Sequence, residues 1–229
     1  MSEKSKIILA LDSADLDQTR RMIEKTLENI SIYKLGLEFF LAQGRQGVLK
    51  VQEEFDEIEI FLDLKLHDIP NTVRGACQSV ADLSPRFLTV HAAGGYEMVN
   101  AAATALPSTQ ITAVTVLTSL DAAELQALDL PSNPQKLALA LAQRAIESGA
   151  RAIVCSPHEV TQLREAISSD VLLITPGVRP VQSANDDQKR TMTPREAFTS
   201  GSDYVVIGRP ITQATDPLQA VNLILDSLA

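Results

Sequence analysis

The chain has 229 residues, 45% of them apolar, enough to build one sizeable core as one large α/β domain or two small ones. A formal charge of −9, with no basic stripe or aromatic-basic interleaving, argues against a nucleic-acid partner, and any anionic small molecule must therefore be met by local positive groups. No apolar run approaches the roughly 18 residues of a membrane span, and Met-Ser-Glu-Lys-Ser-Lys leads straight into an apolar strand without a signal-peptide core, so a cytoplasmic protein is expected.

Strand-like runs recur at Ile7–Asp12, Ile32–Leu37, Ile60–Leu66, Phe87–His91, Ile111–Leu117, Ala152–Ser156, Leu172–Val178 and Tyr204–Gly208. Between them the pattern turns helical. Leu16–Asn29 carries an apolar stripe at Leu16, Met22, Ile23 and Leu27, and Gln135–Glu147 places Leu137, Leu141 and Ala145 on one helical face. Ser156-Pro157-His158-Glu159 and Thr193-Pro194-Arg195-Glu196 each combine a hydroxyl cap, a proline in the first turn and a glutamate three residues on, and Asp216-Pro217 opens the last helix similarly. Short, mostly apolar strands are expected when both faces are covered. Strand and helix alternate to the end without a linker, which predicts one domain over 1–229 folded as a single (β/α)8 TIM barrel rather than an open doubly wound sheet. Two polar loops are long: Ser119–Pro134 after the fifth strand and Gly177–Thr191 after the seventh, the second a candidate lid.

In such a barrel the chemistry sits where strands end. In order these ends carry Asp12, Lys34, the set Asp63, Lys65 and Asp68, then His91, Thr115 and Thr118, Ser156, Arg179, and Gly208-Arg209. A side-chain period of two puts Asp63 and Lys65 on one strand face and Leu62, Leu64 and Leu66 on the other. A charged pair on a buried strand is costly unless compensated or put to use. Flanking carboxylates favour the charged ammonium, which suits Lys65 to general-acid work more than to Schiff-base chemistry.

Plainer readings stand beside these. The charged set can be a structural ion cluster at the barrel mouth, and Lys34 alone can be an edge or snorkelling lysine. Asp12 can simply cap the first helix, although Ser13 and Asp15 compete for that place. Arg209, beside a glycine that admits close backbone approach, offers a forked donor to a phosphate, with Arg179 and Gln188 of the lid placed to close over the same anion. Thr115 and Thr118 can be plain β-formers, Thr118 being nearer the loop and the better ligand contact. None of the three histidines is the catalyst, and His91 lacks His or Glu partners at ligand spacing, so no metal site is expected. Cys77 and Cys155, in apolar surroundings, read as reduced core residues.

The stretch Asp63-Leu-Lys65-Leu-His-Asp68-Ile69-Pro-Asn-Thr72-Val closely resembles the signature of the orotidine 5′-phosphate decarboxylase family, in its bacterial branch. Further family-like patterns follow in order: Leu-Ala-Leu-Asp12, Lys34-Leu-Gly, Val-His91-Ala, Val-Leu-Thr118-Ser, Thr-Pro-Gly-Val-Arg179-Pro, Asp-Asp-Gln188-Lys-Arg and Val-Ile-Gly208-Arg209-Pro-Ile. The resemblance runs from about residue 6 to the C-terminus. It implies decarboxylation of orotidine 5′-monophosphate to uridine 5′-monophosphate, the last step of de novo pyrimidine synthesis, with no metal and no organic cofactor. It also implies roles. Asp12 holds the ribose. Lys34 contacts the ribose and positions Asp63, which lies beside the substrate carboxylate. Lys65 protonates C6, and Thr118 contacts the pyrimidine. Arg179, Gln188, Gly208 and Arg209 hold the phosphate. Asp68, Ile69 and Thr72 reach the neighbouring subunit's site in a homodimer.

Two rivals differ in chemistry. A metal-dependent sugar-phosphate decarboxylase or aldolase of the same barrel group, acting on a compound such as 3-keto-L-gulonate 6-phosphate, shares the Asp-x-Lys-x-x-Asp strand. Such a relative needs an acidic residue at the second strand's end, where this chain has Lys34. A non-catalytic nucleotide-binding barrel has no need of Lys65.

Overall fold

Parallel pairing needs crossovers of a dozen or more residues, which the helical segments between the apolar runs supply, and parallel strands bury both faces. The computed structural model describes residues 6–179 and 192–228. Its strands are β1 (Ile7–Leu11), β2 (Ile32–Gly36), β3 (Glu59–Leu66), β4 (Phe87–His91), β5 (Gln110–Val114), β6 (Ala152–Val154), β7 (Leu172–Thr175) and β8 (Tyr204–Ile207). Each pairs in parallel with the next, and β8 pairs with β1 to close the barrel. Around it lie α1 (Leu16–Thr26), α2 (Leu37–Glu54), α3 (Pro70–Ser79), α4 (Gly95–Ala105), α5 (Ala122–Ala127), α6 (Pro134–Glu147), α7 (Val160–Ala166), α8 (Pro194–Thr199), α9 (Arg209–Thr212) and α10 (Pro217–Asp226). The (β/α)8 expectation is met.

Strand parity divides the core in two. Ile8, Ile32, Phe61, Phe87, Ala152 and Ile174 form one buried cluster inside the barrel. Their chain neighbours Ile7, Leu9, Tyr33, Ile60, Leu62 and Leu88 belong to the larger layer packed under the helices. The Phe61 and Phe87 rings lie 5.4 Å apart and Phe87 meets Tyr204 edge-on at 5.9 Å. Below them Arg86 stacks 5.1 Å from the Phe87 ring, donates to the Tyr204 hydroxyl at 2.6 Å and pairs with Glu59. This packed plug closes the lower end and leaves the upper end for the site.

The helix starts follow their caps. Asp15 caps α1 by accepting from the Gln18 amide at 2.9 Å, Asp216 caps α10 by accepting from Gln219 at 3.0 Å, and Thr193 with Glu196 forms the full capping box of α8. Ser156 and Glu159 are likewise paired. The Glu159 carboxylate accepts from the Ser156 amide at 2.9 Å, and the residues up to Glu159 make a 3-10 turn before α7.

Several expected boundaries shift. Helix α1 ends at Thr26 rather than Asn29, and β5 ends at Val114 rather than Leu117. The apparent loop Ser119–Pro134 holds α5, capped by Asp121, which accepts from the amides of Ala123 and Glu124 at 3.1 and 3.0 Å. Only Leu125 of this six-residue helix is buried, against Val116 and Ala138, so no apolar stripe announced it.

The interior plug generates a stability prediction. Phe87→Ala should lower unfolding free energy by about 3–5 kcal/mol, read from urea titration, whereas truncating the 81% exposed Leu41 should change it by less than about 0.5 kcal/mol.

Candidate active site

The inward parity that builds the plug continues upward. Two residues beyond Ile32 comes Lys34, two beyond Phe61 comes Asp63, and four beyond Ile8 comes Asp12. In register Lys34 lies beside Ala10 on one strand and Phe61 on the other. The three side chains therefore converge over the plug, at the floor of a cavity of about 590 Å³.

Charges alternate across this floor. Lys34 Nζ donates to Asp12 Oδ1 at 2.8 Å and lies 3.3 Å from Asp63 Oδ2, and Lys65 Nζ donates to Asp63 Oδ1 at 2.7 Å. A Cβ at Gly36 would stand 3.0 Å from Lys34 Nζ and 3.1 Å from Asp12 Oδ1, so a bare backbone there leaves room for the ion pair. Burial alone would raise the Asp63 carboxyl, but the Lys34 and Lys65 charges, with hydrogen bonds from Lys65 and Thr89, hold it below the usual aspartate range. Burial likewise pulls Lys34 down, and the Asp63 and Asp12 carboxylates more than offset it, leaving the ammonium firmer than usual. Asp12 is not the cap of α1, since Asp15 takes that place.

Strand β3 does not keep its pleat to the end. Leu62 registers with Leu88 and Leu66 with Val90, so three residues, Asp63, Leu64 and Lys65, face the single residue Thr89. The surplus is taken up at Lys65, whose φ of 48° lies in the left-handed region. A non-glycine residue held there costs about 1–3 kcal/mol. Asp63 and Lys65 do share a side, as alternation suggested, but a bulge rather than a regular pleat puts them there. Thr89, fully buried, spans the irregularity: its Oγ1 accepts from the Lys65 amide at 2.8 Å and donates to Asp63 Oδ1 at 3.0 Å.

Other expected residues divide into those at the cavity and those away from it. Thr118, Arg179, Gly208 and Arg209 line it together with Asp12, Lys34, Asp63 and Lys65. The Arg179 amide donates to the Met192 carbonyl at 2.9 Å, and Arg209 is the first residue of α9. Asp68, Ile69 and Thr72 do not line the cavity. They are exposed around the start of α3, Ile69 to 66%, and the Asp68 carboxylate accepts from the Ile69 amide at 2.6 Å. Gln188 and the lid residues 180–191 lie outside the described residues. Thr115 is structural, donating to the Val154 carbonyl at 3.1 Å. His91 packs 5.1 Å from His67, and burial, with His67 and Lys65 nearby, pushes it down. Cys155 reaches the cavity wall but is buried, and its thiol is pushed far up by desolvation; Cys77 is pushed up to about 11 by burial. Both are inert as nucleophiles.

Sequence reasoning passed over Thr89. Its signal was parity: Phe87, Thr89 and His91 alternate along β4, so a hydroxyl two residues before the strand end faces inward. Gln18 and Gln213 also line the cavity, and nothing in their local pattern marked them.

Known proteins resemble the chain over most of its length. Residues 5–224 match the family described as Orotidine 5′-phosphate decarboxylase / HUMPS family. A protein named orotidine 5′-phosphate decarboxylase from Thermobifida fusca (strain YX) is 50% identical over 92% of this chain and 90% of its own length. One of the same name from Gluconobacter oxydans (strain 621H) is 42% identical over 100% of this chain and 99% of its own. The crystal structure of orotidine 5′-phosphate decarboxylase from Lactobacillus acidophilus superposes with a TM-score of 0.84 at 36% identity, covering 97% of this chain and 98% of that one.

The array predicts how stability depends on pH. Asp63, depressed below its unfolded value, contributes stability above that value and loses it as pH falls through the folded pKa. Lys34→Met leaves two carboxylates facing each other and removes the largest of the contributions that depress Asp63, leaving those of Lys65 and Thr89. At pH 7 the variant should lose about 3 kcal/mol, and its deficit should shrink towards pH 4 as Asp63 protonates earlier than in the parent, as read by urea titrations at both pH values.

Proposed function

The chain belongs to the orotidine 5′-phosphate decarboxylase / HUMPS family and converts orotidine 5′-monophosphate to uridine 5′-monophosphate and CO2 in pyrimidine biosynthesis, and we propose that Lys65 supplies the proton that C6 receives. The observation that carries this reading is the Asp12–Lys34–Asp63–Lys65 array on the cavity floor. Breaking the bond from C6 to the carboxylate leaves an electron pair on C6 with no delocalising sink. A fixed ammonium beside that carbon stabilises the developing charge without reorganisation, then transfers a proton to it. Asp63 lies next to the departing carboxylate and keeps Lys65 on target. Asp12 and Lys34 take the ribose, and Thr118 the pyrimidine. Arg179, Gln188, Gly208 and Arg209 bind the phosphate, whose binding energy is spent on closure around the reacting end.

No metal or organic cofactor enters this scheme. The Lys34 ammonium stands between Asp12 and Asp63, where a divalent cation shared by those carboxylates would meet a positive charge. Asp68, Ile69 and Thr72 belong to a second site. Exposed on their own chain, they reach the partner's cavity in a homodimer with two shared sites. One domain, in the cytoplasm, completes the reading; no helix among the described residues is long and apolar enough to cross a membrane.

The purified protein, given orotidine 5′-monophosphate in EDTA, should deplete the substrate's ultraviolet absorbance; no turnover unless a divalent metal is added would defeat the metal-free scheme. Lys65→Ala should lose at least about 10³-fold in kcat while still binding uridine 5′-monophosphate, and near-normal decarboxylation by it would sink the proton-donor assignment. Mixing Asp68→Asn with Lys65→Ala subunits should restore one working site per heterodimer. Exchange of subunits without recovery would show that Asp68 does not act in trans.

A further inference from the structure

A closed hydrogen-bond circuit begins and ends on Lys65. Its amide donates to Thr89 Oγ1 at 2.8 Å, that hydroxyl donates to Asp63 Oδ1 at 3.0 Å, and the same oxygen accepts from Lys65 Nζ at 2.7 Å. A threonine hydroxyl has one proton and two lone pairs, and an ionised carboxylate can only accept. The direction of every bond in the circuit is thereby settled. Thr89 is fully buried on the inward face of β4, directly above Phe87 of the plug, so it is anchored from below. It is also the one β4 residue facing the three β3 residues Asp63, Leu64 and Lys65. At this irregularity the hydroxyl serves the Lys65 amide.

We propose that Thr89 is a positioning residue for decarboxylation: its hydroxyl holds Lys65 in the left-handed backbone conformation and fixes the Asp63 carboxylate, so that the ammonium is aimed before substrate arrives. The inference rests on the reading of Lys65 as the proton donor. Thr89 itself lies beneath the reacting groups and is not among the residues lining the cavity, so its loss should affect the chemical step and not substrate capture. A misplacement of about 1 Å in such a donor can cost on the order of 10²-fold in rate.

Thr89→Val matches the shape of threonine and lacks the hydroxyl, and Thr89→Ser keeps the hydroxyl. The valine variant should lose roughly 10- to 100-fold in kcat, with KM and the affinity for uridine 5′-monophosphate within about threefold of the parent, while the serine variant stays within about threefold in kcat. The acid limb of kcat should move to higher pH in the valine variant, because Asp63 loses one of the hydrogen bonds that hold its carboxyl down. A threonine that merely supports the fold would lower the melting temperature and leave kcat and that limb in place. An unchanged kcat in Thr89→Val, or a serine variant as impaired as the valine one, overturns the proposal. If the valine variant does not fold, amide exchange in the parent decides: a Lys65 amide that exchanges as freely as an exposed loop amide overturns it, and a protected one supports it. Loss of turnover in Lys65→Ala with full turnover in Thr89→Val would remove Thr89 and leave the proton donor standing. Retained turnover in Lys65→Ala would remove the donor and this inference with it.

Discussion

The Asp63 carboxylate receives an ion pair from Lys34 and hydrogen bonds from Lys65 and Thr89 while only 13% of its side chain meets solvent, and the mouth of the barrel is arranged around keeping that charge in place. Taking a carboxylate out of water is tolerable only when its lone pairs are used. Each partner then creates a demand of its own. Lys34, itself buried, needs Asp12 as a second counter-charge. The Lys34–Asp12 pair in turn needs the space that Gly36 leaves free. Lys65 reaches Asp63 from a strained backbone, and the strain needs Thr89. Removing any member exposes the next to an unpaired charge or an unmet hydrogen bond.

The architecture was legible because burial on both faces leaves a simple trace: short apolar runs at regular intervals, with charge admitted only at their ends. The same trace exposed Asp12, Lys34, Asp63 and Lys65, since charge in or at the end of a buried strand is costly unless compensated or put to use. It was least informative where structure is too short to show a period. Helix α5 buries one leucine and reads as loop. The bulge at Lys65 is invisible because alternation assumes a regular pleat, and the pairing that breaks it lies on β4, more than twenty residues away. Thr89 was hidden for a different reason, as threonine is at home in any strand. Asp68, Ile69 and Thr72 show the opposite limit. The resemblance placed them at a site, and the single chain leaves them exposed on its surface, away from the cavity.

The floor and the wall of the cavity come from different parts of the chain. Strands β1 to β4 supply the array and its hydroxyl brace, and the segments after β7 and β8 supply Arg179, Gly208 and Arg209. Because β8 pairs with β1, the two groups become neighbours across the barrel seam. The aromatic plug packs beneath the charged floor and supports it from below.

The members of the array differ in how much water they see. The side chains of Lys34 and Asp63 are 11% and 13% exposed in the single chain, and that of Lys65 is 31%. An amine that has surrendered its proton must be recharged before the next turnover, and the solvent is the supply. In the proposed scheme Lys65 is the member spent in each cycle, and it is more open to solvent than Lys34 and Asp63 beside it, so that product departure reopens its route to a fresh proton.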